Sequence, residues 1–283
     1  MNILLTGGNG FLAKELKHYF LNNTALDCKL LVTDRTTLNV TDYESVRGFF
    51  ENNVVDVVIH TAVKGGKRLD TQTVDDIIDN ILMFKNLSYF SDQFKIMFNF
   101  GSGAEFNRMN SIDCATEESV SASLPTDYYG LSKNIIARKI AKMNSNIYNL
   151  RLFGCFGQHE EPQRLFRSCY DNFKLNQNAL ITCDKYMDYF YAQDVGRVIE
   201  HIIEKHDTSL PRDINLCYPE KYTLSEHAQV IKDLTNAKSQ VIIEQKELGK
   251  SYTGKAHVLD SLNIDLTGLN KGVKECLKSW NKL

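Results

Sequence analysis

The sequence predicts an α/β fold, a doubly wound parallel sheet with a second, smaller lobe toward its C-terminal end. Two observations carry this prediction. Strand-like apolar runs alternate with helical patterns through the first half of the chain, and right-handed crossovers turn such an alternation into a parallel sheet with helices on both faces. The first run, residues 1–6, leads directly into a glycine turn and a helix. That order points backbone N–H groups and the positive end of a helix dipole at one place, where a pyrophosphate can bind.

The elements of the predicted sheet follow one another at regular spacing. Residues 11–22 carry apolar side chains at a helical period, and residues 29–33 form the second apolar run. Asp42 is placed to cap a helix over residues 42–51. A buried strand is predicted over residues 54–59, since five of these six residues are Val or Ile. The later elements are a helix over 74–90, a strand over 96–100, a helix over 129–143 and a strand over 147–153.

Beyond about residue 156 the alternation weakens. Apolar runs persist at 179–182 and 214–216, and residues 224–234 have a helical pattern. We therefore predict a nucleotide-binding domain over residues 1–156. The substrate-binding lobe is predicted mainly over residues 157–283, interleaved with late elements of the sheet.

Composition excludes several classes of function. Of the 283 residues 43% are hydrophobic, which is enough for a well-buried core, and the formal net charge is only −2. So weak a charge gives no footprint for binding nucleic acid or an anionic membrane surface. No apolar run approaches the roughly 20 residues that cross a bilayer, so we expect a cytoplasmic protein.

Cysteine and histidine usage argues against disulfides and metal. The seven cysteines contain no C-x-x-C pair and are odd in number, which favours free thiols. The seven histidines show no H-x-x-x-H spacing, so no metal site is predicted.

The glycine turn and the end of the second strand together predict a dinucleotide cofactor. Gly7 and Gly10 let the backbone approach a phosphate, and Phe11 and Leu12 begin the helix behind them. Asp34 ends the second apolar run, where a carboxylate reaches the ribose of the cofactor's adenosine half. Its charge favours NAD over NADP. Arg35 follows immediately and could neutralise a 2′-phosphate, so NADP stays open.

Three side chains predict hydride chemistry at a carbonyl. Tyr129 and Lys133 lie one helical turn apart on the same face, so an ammonium can stand near a phenol. We expect Lys133 and the positive charge of a bound nicotinamide together to lower the pKa of Tyr129 toward neutrality, which would let the phenol exchange a proton with an alcohol or alkoxide. Ser102 follows the strand over residues 96–100, at the sheet edge where ligands bind, and could hold the reacting oxygen.

These motifs together resemble the extended short-chain dehydrogenase/reductases that act on nucleotide sugars. The resemblance covers about the first 200 residues and implies a Rossmann fold with a small C-terminal lobe, an NAD(P) cofactor and a nucleotide-sugar substrate. The residues that carry it are the glycine turn to Ala13, Asp34, residues 38–42, residues 60–62, Asn80, Ser102, the Tyr129/Lys133 pair, residues 151–157 and residues 188–195.

The resemblance also implies roles for further residues. Asn39 and Val40 would lie near the adenine, Ala62 and Val63 near the cofactor ribose, and Lys133 on the nicotinamide ribose. Asn80 would belong to the same cofactor site. The residues expected to contact the substrate are Lys64, Ser102, Gly103 and Arg164.

Within this group the sequence favours a reductase of a nucleotide-linked 4-keto-6-deoxysugar. A dehydratase needs an acidic pair directly after the catalytic hydroxyl, where this chain has Gly103 and Ala104; Glu105 is one position late and should point elsewhere. A C4 epimerase that uses tightly held NAD is the alternative, and a non-catalytic nucleotide sensor is a second one.

Two residues of the chain depart from the pattern that is common in epimerases. Epimerases commonly have Asn where this chain has Gly154, and a diphosphate-binding Arg where it has Met187. Arg164 or Arg167 could supply the missing cation.

By resemblance, the helices over residues 74–90 and 129–143 would form the interface of a homodimer. The helix over residues 74–90 has a higher apolar content than one buried face requires, in Ile77, Ile78, Ile81, Leu82 and Phe84.

Overall fold

The computed structural model describes residues 1–66, 71–122, 124–143, 145–205 and 209–282. Its strands are β1 (Asn2–Thr6), β2 (Lys29–Val32), β3 (Val57–His60), β4 (Ile96–Ser102), β5 (Ile112–Ala115), β6 (Ile147–Leu152), β7 (Cys155–Phe156), β8 (Ala179–Cys183), β9 (Phe190–Tyr191), β10 (Asp213–Leu216), β11 (Val241–Gln245) and β12 (Tyr252–Gly254). Its α-helices are α1 (Phe11–Asn22), α2 (Tyr43–Asn52), α3 (Val74–Ser88), α4 (Tyr128–Lys142), α5 (Leu165–Lys174), α6 (Ala192–Lys205), α7 (Leu224–Thr235), α8 (His257–Ser261) and α9 (Leu269–Trp280).

A six-stranded parallel sheet forms the centre of the fold. Its strand order is β10-β6-β4-β3-β1-β2, and every pair of neighbours runs parallel. One face packs against α1 and α6, and the other against α2, α3 and α4. The predicted doubly wound sheet is therefore confirmed. The strand order reverses between β1 and β3, which is where open sheets of this kind bind ligands, beyond the carboxyl ends of the strands.

The helix boundaries agree with the local signals in the sequence. The predicted helix over residues 11–22 is α1, and Asp42 caps α2 by accepting a hydrogen bond from the backbone N–H of Glu44 at 3.0 Å. The strand predicted over residues 54–59 begins later, at Val57. Val54 is 76% exposed, because its segment connects α2 to the sheet and pairing with β1 begins only at Val57.

The later part of the chain contributes to two cores. Helix α6 and β10 complete the core of the large sheet. Helices α5, α7 and α9 enclose a separate core that includes the buried Trp280. This second core is the C-terminal lobe, and a small parallel pair of strands, β8 and β11, borders it.

A buried histidine in this lobe should make the stability of the folded state sensitive to acid. Burial is the main cause that lowers the pKa of His227 from 6.5 to about 4, and the ring packs among Phe166, Tyr189 and Tyr222. An unfolded chain takes up a proton at this residue below pH 6.5, whereas the folded chain resists until about pH 4. His227 therefore stabilises the folded state above pH 6.5, and this contribution of about 3 kcal/mol is lost as the pH falls to 4.

We expect urea unfolding of His227→Phe to show a smaller loss of stability between pH 6.5 and 4 than unfolding of the wild type. Parallel pH profiles for the two proteins would contradict this assignment.

Two further observations bear on the composition. Among the described residues, none of the helices has the length and apolar character that a membrane span requires. All seven cysteines are free thiols, as predicted; four are buried, whereas Cys114 is exposed.

Candidate active site

The glycine turn after β1 has the geometry of a phosphate cradle. Gly7 has a φ of +72°, and a Cβ there would lie 2.7 Å from the backbone nitrogen of Ala62. Gly10 precedes α1 without any side-chain cap, so backbone N–H groups of the first turn stay available to an anion. Phe11 and Leu12 are the first two residues of that helix. The residues present therefore fit the pyrophosphate of a dinucleotide.

Asp34 lies beside this turn and keeps its negative charge. One carboxylate oxygen accepts hydrogen bonds from Thr36 and Thr37, and the other accepts one from the Asn9 side chain at 3.2 Å. The bonds from Thr36 are the main cause that lowers the pKa of Asp34 to about 2. Because Asn9 belongs to the glycine turn, the second oxygen faces the cradle. Arg35 is exposed.

The other residues expected around the adenosine line the same sheet edge. Asn39 holds the turn before α2 by accepting from the Thr41 backbone N–H and hydroxyl. The Val40 side chain is buried in the core on that face. Ala62 abuts the glycine turn, and Val63 is 44% exposed. These positions are compatible with the expected roles, which stay predictions.

Asn80 and Lys64 make contacts that the sequence did not predict. Asn80 is buried and holds both the backbone N–H and the carbonyl of Lys64, at 2.9 and 3.0 Å. Its amide also donates to the Ser132 hydroxyl at 3.1 Å. The Lys64 ammonium forms an ion pair with Asp79. Asn80 thus joins the loop after β3 to α4, the helix that carries Tyr129.

Ser102 is fixed at the end of β4 by a buried carboxylate. Its backbone N–H donates to Glu105 Oε1 at 2.9 Å, and its hydroxyl accepts from the Ala104 N–H at 3.2 Å. Glu105 Oε2 accepts from Arg151 Nε at 2.6 Å, and both side chains are fully buried. The Glu105 carboxylate is thus directed at the Ser102 backbone and Arg151, and residues 103–105 form a 3₁₀ turn and not the extended segment on which the expectation for Glu105 rested. Glu105 anchors the turn that presents Ser102.

Tyr129 and Lys133 lie side by side in the first turns of α4. The lysine ammonium is 5.9 Å from the centre of the Tyr129 ring and donates to the Phe100 carbonyl at 2.7 Å. Burial lowers the pKa of Lys133 to about 8. His60, on β3, contacts the Thr6 hydroxyl at 2.8 Å, and burial followed by the charge of Lys133 lowers its pKa to about 3. His60 is therefore a neutral structural residue.

Burial is the main influence of the protein on the pKa of Tyr129. This pKa lies above its ordinary value, because burial outweighs the lowering effects of the Ser102 hydrogen bond and of Arg108. The lowering expected from Lys133 together with a bound nicotinamide stays a prediction. The phenol is therefore protonated at neutral pH and suited to donate a proton.

Gly66, in the loop after β3, should tolerate no side chain. Gly66 has a φ of +88°, and a Cβ there would lie 2.8 Å from Cε2 of the Tyr129 ring. We expect Gly66→Ala to displace the phenol and lower kcat at least about tenfold, and to cost about 1–2 kcal/mol of backbone strain. Steady-state kinetics and urea unfolding check both effects. Gly48→Ala is the control: a Cβ at Gly48 meets nothing within 4 Å, and alanine in mid-helix should stabilise the fold by roughly 0.5–1 kcal/mol.

Two residues at this site escaped sequence reasoning. The Tyr252 hydroxyl lies 3.4 Å from Ser102 Oγ, although 150 residues separate the two in sequence. The Arg108 guanidinium pairs with Asp127 at 2.5 Å and lowers the pKa of both phenols, Tyr129 and Tyr252. No local motif announces either residue, because each reaches the site from a loop or a short strand.

The remaining substrate candidates lie in different surroundings. A Cβ at Gly103 would lie 2.8 Å from Tyr252 Cζ, so the glycine permits close packing at the site. The Arg164 guanidinium stacks over the Phe11 ring at 5.1 Å and pairs with Glu160 at 3.3 Å. It therefore lies beside the start of α1.

Arg167 pairs with Asp171 at 2.9 Å within α5 and stacks over Trp280. Away from sequence motifs, Glu117, Glu118 and His257 bring their ligand atoms within 4.8 Å of one another. The last two of these are exposed, and spacing in the sequence did not predict the group.

The order of elements and the glycine turn match a known family. A model of the NAD dependent epimerase/dehydratase family matches residues 3–217. The chain belongs to this family. The predicted family, Rossmann fold and NAD(P) cofactor class are thereby confirmed, and the predicted enzyme class, an NAD(P)-dependent oxidoreductase for nucleotide sugars, agrees with the membership.

Solved structures share the whole architecture of this family member. The GDP-mannoheptose C4 reductase of Campylobacter jejuni with NADP bound has a TM-score of 0.83 at 16% identity, over 100% of this chain and 98% of that one. A dTDP-4-dehydrorhamnose reductase of Clostridium acetobutylicum has a TM-score of 0.81 at 19% identity, over 99% and 100%.

A third similar structure is that of a dehydratase. The dTDP-glucose 4,6-dehydratase of Bacillus anthracis in complex with NAD has a TM-score of 0.78 at 16% identity, over 100% and 97%. At such identities the likeness establishes the fold. No curated protein sequence matches the chain significantly.

Proposed function

We propose that this protein is an NAD(P)H-dependent reductase of a nucleotide-linked 4-keto-6-deoxysugar, acting in deoxysugar biosynthesis for surface glycans. One observation carries the proposal. Ser102, Tyr129 and Lys133 gather beyond the carboxyl ends of the strands, beside the glycine turn, while Glu105 is bonded to Arg151. The similar structures from Campylobacter and Clostridium, which are named as reductases of nucleotide-linked sugars, support the same reaction class.

The side chains suit reduction in a definite way. A bound reduced nicotinamide supplies a hydride to the carbonyl carbon. The Ser102 hydroxyl donates a hydrogen bond to the carbonyl oxygen, which stabilises the negative charge that develops there. Tyr129 gives its proton to the same oxygen, and burial keeps this phenol protonated beforehand. Lys133 places a positive charge beside the phenolate that remains.

A dehydratase is the weaker assignment for this site. Dehydration needs a free carboxylate near the catalytic hydroxyl to remove a proton from the sugar. Glu105 is fully buried and bonded to both Arg151 and the Ser102 backbone, so it has no access to a sugar. The residues before it, Gly103 and Ala104, carry no acidic group.

We propose NAD as the preferred cofactor. The second oxygen of Asp34 faces the glycine turn and, with a pKa near 2, is charged at neutral pH. A 2′-phosphate there would meet this charge, whereas a free 2′-hydroxyl would donate to it. The Campylobacter reductase structure contains NADP, so the comparison of the two cofactors is decisive for this chain.

The test is to incubate the purified protein with NADH or NADPH and a panel of dTDP-, GDP-, CDP- and UDP-linked 4-ketosugars. We expect one equivalent of cofactor to be oxidised per sugar reduced, as seen by absorbance and by NMR of the product, with a lower KM for NADH. If the sugar nucleotides are isomerised without net oxidation of NADH or NADPH, the protein is a C4 epimerase and not a reductase. Binding of nucleotides without turnover would favour a sensor.

We further propose that the protein is a homodimer in a reducing, cytoplasmic environment, which its seven free thiols suit. Helices α3 and α4 pack together and expose apolar side chains on their outer surface, with Ile78 50% and Ile135 38% exposed. We expect Ile78→Lys to convert a dimer to a monomer in light scattering. Val54→Lys changes an exposed apolar residue outside these two helices and should leave the mass unchanged; a monomeric wild type would refute the proposal.

A further inference from the structure

Tyr252 is a second phenol at the candidate site that the reduction scheme above does not use. Both of its backbone polar groups bond the neighbouring segment over residues 186–188: the Tyr252 N–H donates to the Tyr186 carbonyl at 2.8 Å, and the Tyr252 carbonyl accepts from the Asp188 N–H at 3.2 Å. The ring packs edge-on against Phe153, with ring centres 5.5 Å apart. Both the backbone and the ring are therefore fixed.

The packing directs the Tyr252 hydroxyl at Ser102. Gly103 lies under the ring, and a Cβ at this position would lie 2.8 Å from Tyr252 Cζ. The absence of a side chain there lets the phenol reach the end of β4. Tyr252 Oη lies 3.4 Å from Ser102 Oγ.

Counting hydrogen bonds at Ser102 shows what the second phenol can contribute. A serine hydroxyl has one proton to donate and two lone pairs that accept. The Ala104 N–H occupies one lone pair at 3.2 Å. If Tyr252 donates to the second lone pair of Ser102 Oγ, Ser102 does not donate its own proton to Tyr252. That proton then stays available for a hydrogen bond to a ligand. Burial raises the pKa of Tyr252, so this phenol retains its proton near neutral pH.

We propose that Tyr252 is a positioning residue: its phenol donates to Ser102 Oγ and thereby aims the Ser102 proton at the carbonyl oxygen of the sugar. The C-terminal lobe would in this way complete the catalytic geometry of the sheet domain. The role rests on the proposed reductase function. It differs from direct substrate contact because it acts only through Ser102.

The test is a double-mutant cycle measured by cofactor oxidation with the ketosugar that the wild type reduces. Tyr252→Phe removes only the hydroxyl and keeps the ring against Phe153. We expect kcat to fall about five- to tenfold, as for loss of one neutral hydrogen bond, with KM and the Kd for NADH within about twofold of the wild type. In a Ser102→Ala background, Tyr252→Phe should lower kcat by less than about twofold, because the group it orients is gone.

The control is Tyr186→Phe, which removes the hydroxyl of a neighbouring, 40% exposed tyrosine and should leave kcat unchanged. An unchanged kcat in Tyr252→Phe would overturn the assignment. Losses that multiply in the double variant would also overturn it and place Tyr252 on the sugar itself. If the wild type binds NADH but none of the ketosugars supports its oxidation, both the reductase function and this role of Tyr252 are refuted. An unchanged kcat in Tyr252→Phe, or losses that multiply in the double variant, would refute only the role of Tyr252.

Discussion

Replacing Tyr129 by phenylalanine is expected to lower kcat about 1000-fold, the range in which loss of a positioned general acid falls. The Tyr129 phenol is held protonated by burial, and its ring centre lies 5.9 Å from the Lys133 ammonium, one helical turn away. Without its proton the alkoxide would have to collect one from water. Single-turnover oxidation of NADH in the presence of the ketosugar measures the effect.

The chain supplies a matched control for this change. Tyr128 precedes Tyr129 directly and is 39% exposed, so Tyr128→Phe removes a phenol of the same helix without touching the site. Its kcat should equal that of the wild type. Both variants should bind NADH with unchanged Kd in a fluorescence titration. A Tyr129→Phe variant that keeps more than a tenth of the wild-type kcat would remove Tyr129 from the role of acid.

The largest loss of stability is expected from Arg151→Met. The Arg151 side chain is fully buried and donates to Glu105 at 2.6 Å, to Asp213 at 2.7 Å and to Asn215 at 2.8 Å. Methionine fills much of the volume but leaves Glu105 buried without its cation. Breaking a buried pair in this way costs about 3–5 kcal/mol. Urea unfolding can be followed through Trp280, the single tryptophan of the chain.

The deficit of Arg151→Met should depend on pH. Burial raises the pKa of Glu105, and Arg151 is the main group that lowers it, so the variant carries a carboxyl whose folded pKa is well above its unfolded value. Such a group favours folding below its unfolded pKa and opposes it as the pH rises through the folded pKa. The variant should therefore lose less stability at pH 5 than at pH 8.

Two controls separate the buried charge from a general effect of losing arginine. Adding Glu105→Gln to Arg151→Met removes the unpaired charge and should restore part of the stability. Arg47→Met breaks ion pairs on the surface of α2, where the side chain is 51% exposed, and should cost less than about 1 kcal/mol. Equal losses for Arg47→Met and Arg151→Met would contradict the importance of the buried network.

Features that depend on local pattern could be predicted from the sequence. The glycine turn, the alternation of strands and helices and the one-turn spacing of Tyr129 and Lys133 are properties of short segments, and the backbone expresses them wherever the core can absorb their apolar faces. Ser102 was predictable for the same reason, since a residue that ends a parallel strand lies at the ligand-binding edge. These signals were enough for the fold, the family and the candidate catalytic residues.

Contacts between segments that are distant in sequence could be identified only in the folded chain. Tyr252 reaches Ser102, and Arg151 reaches Glu105, only because strand register and packing bring segments together that no spacing rule connects. Burial, which a sequence does not display residue by residue, raises the pKa of Tyr129 above its ordinary value. Contact geometry and desolvation are collective properties of the folded chain, so they become readable only when every neighbour of a side chain is in place.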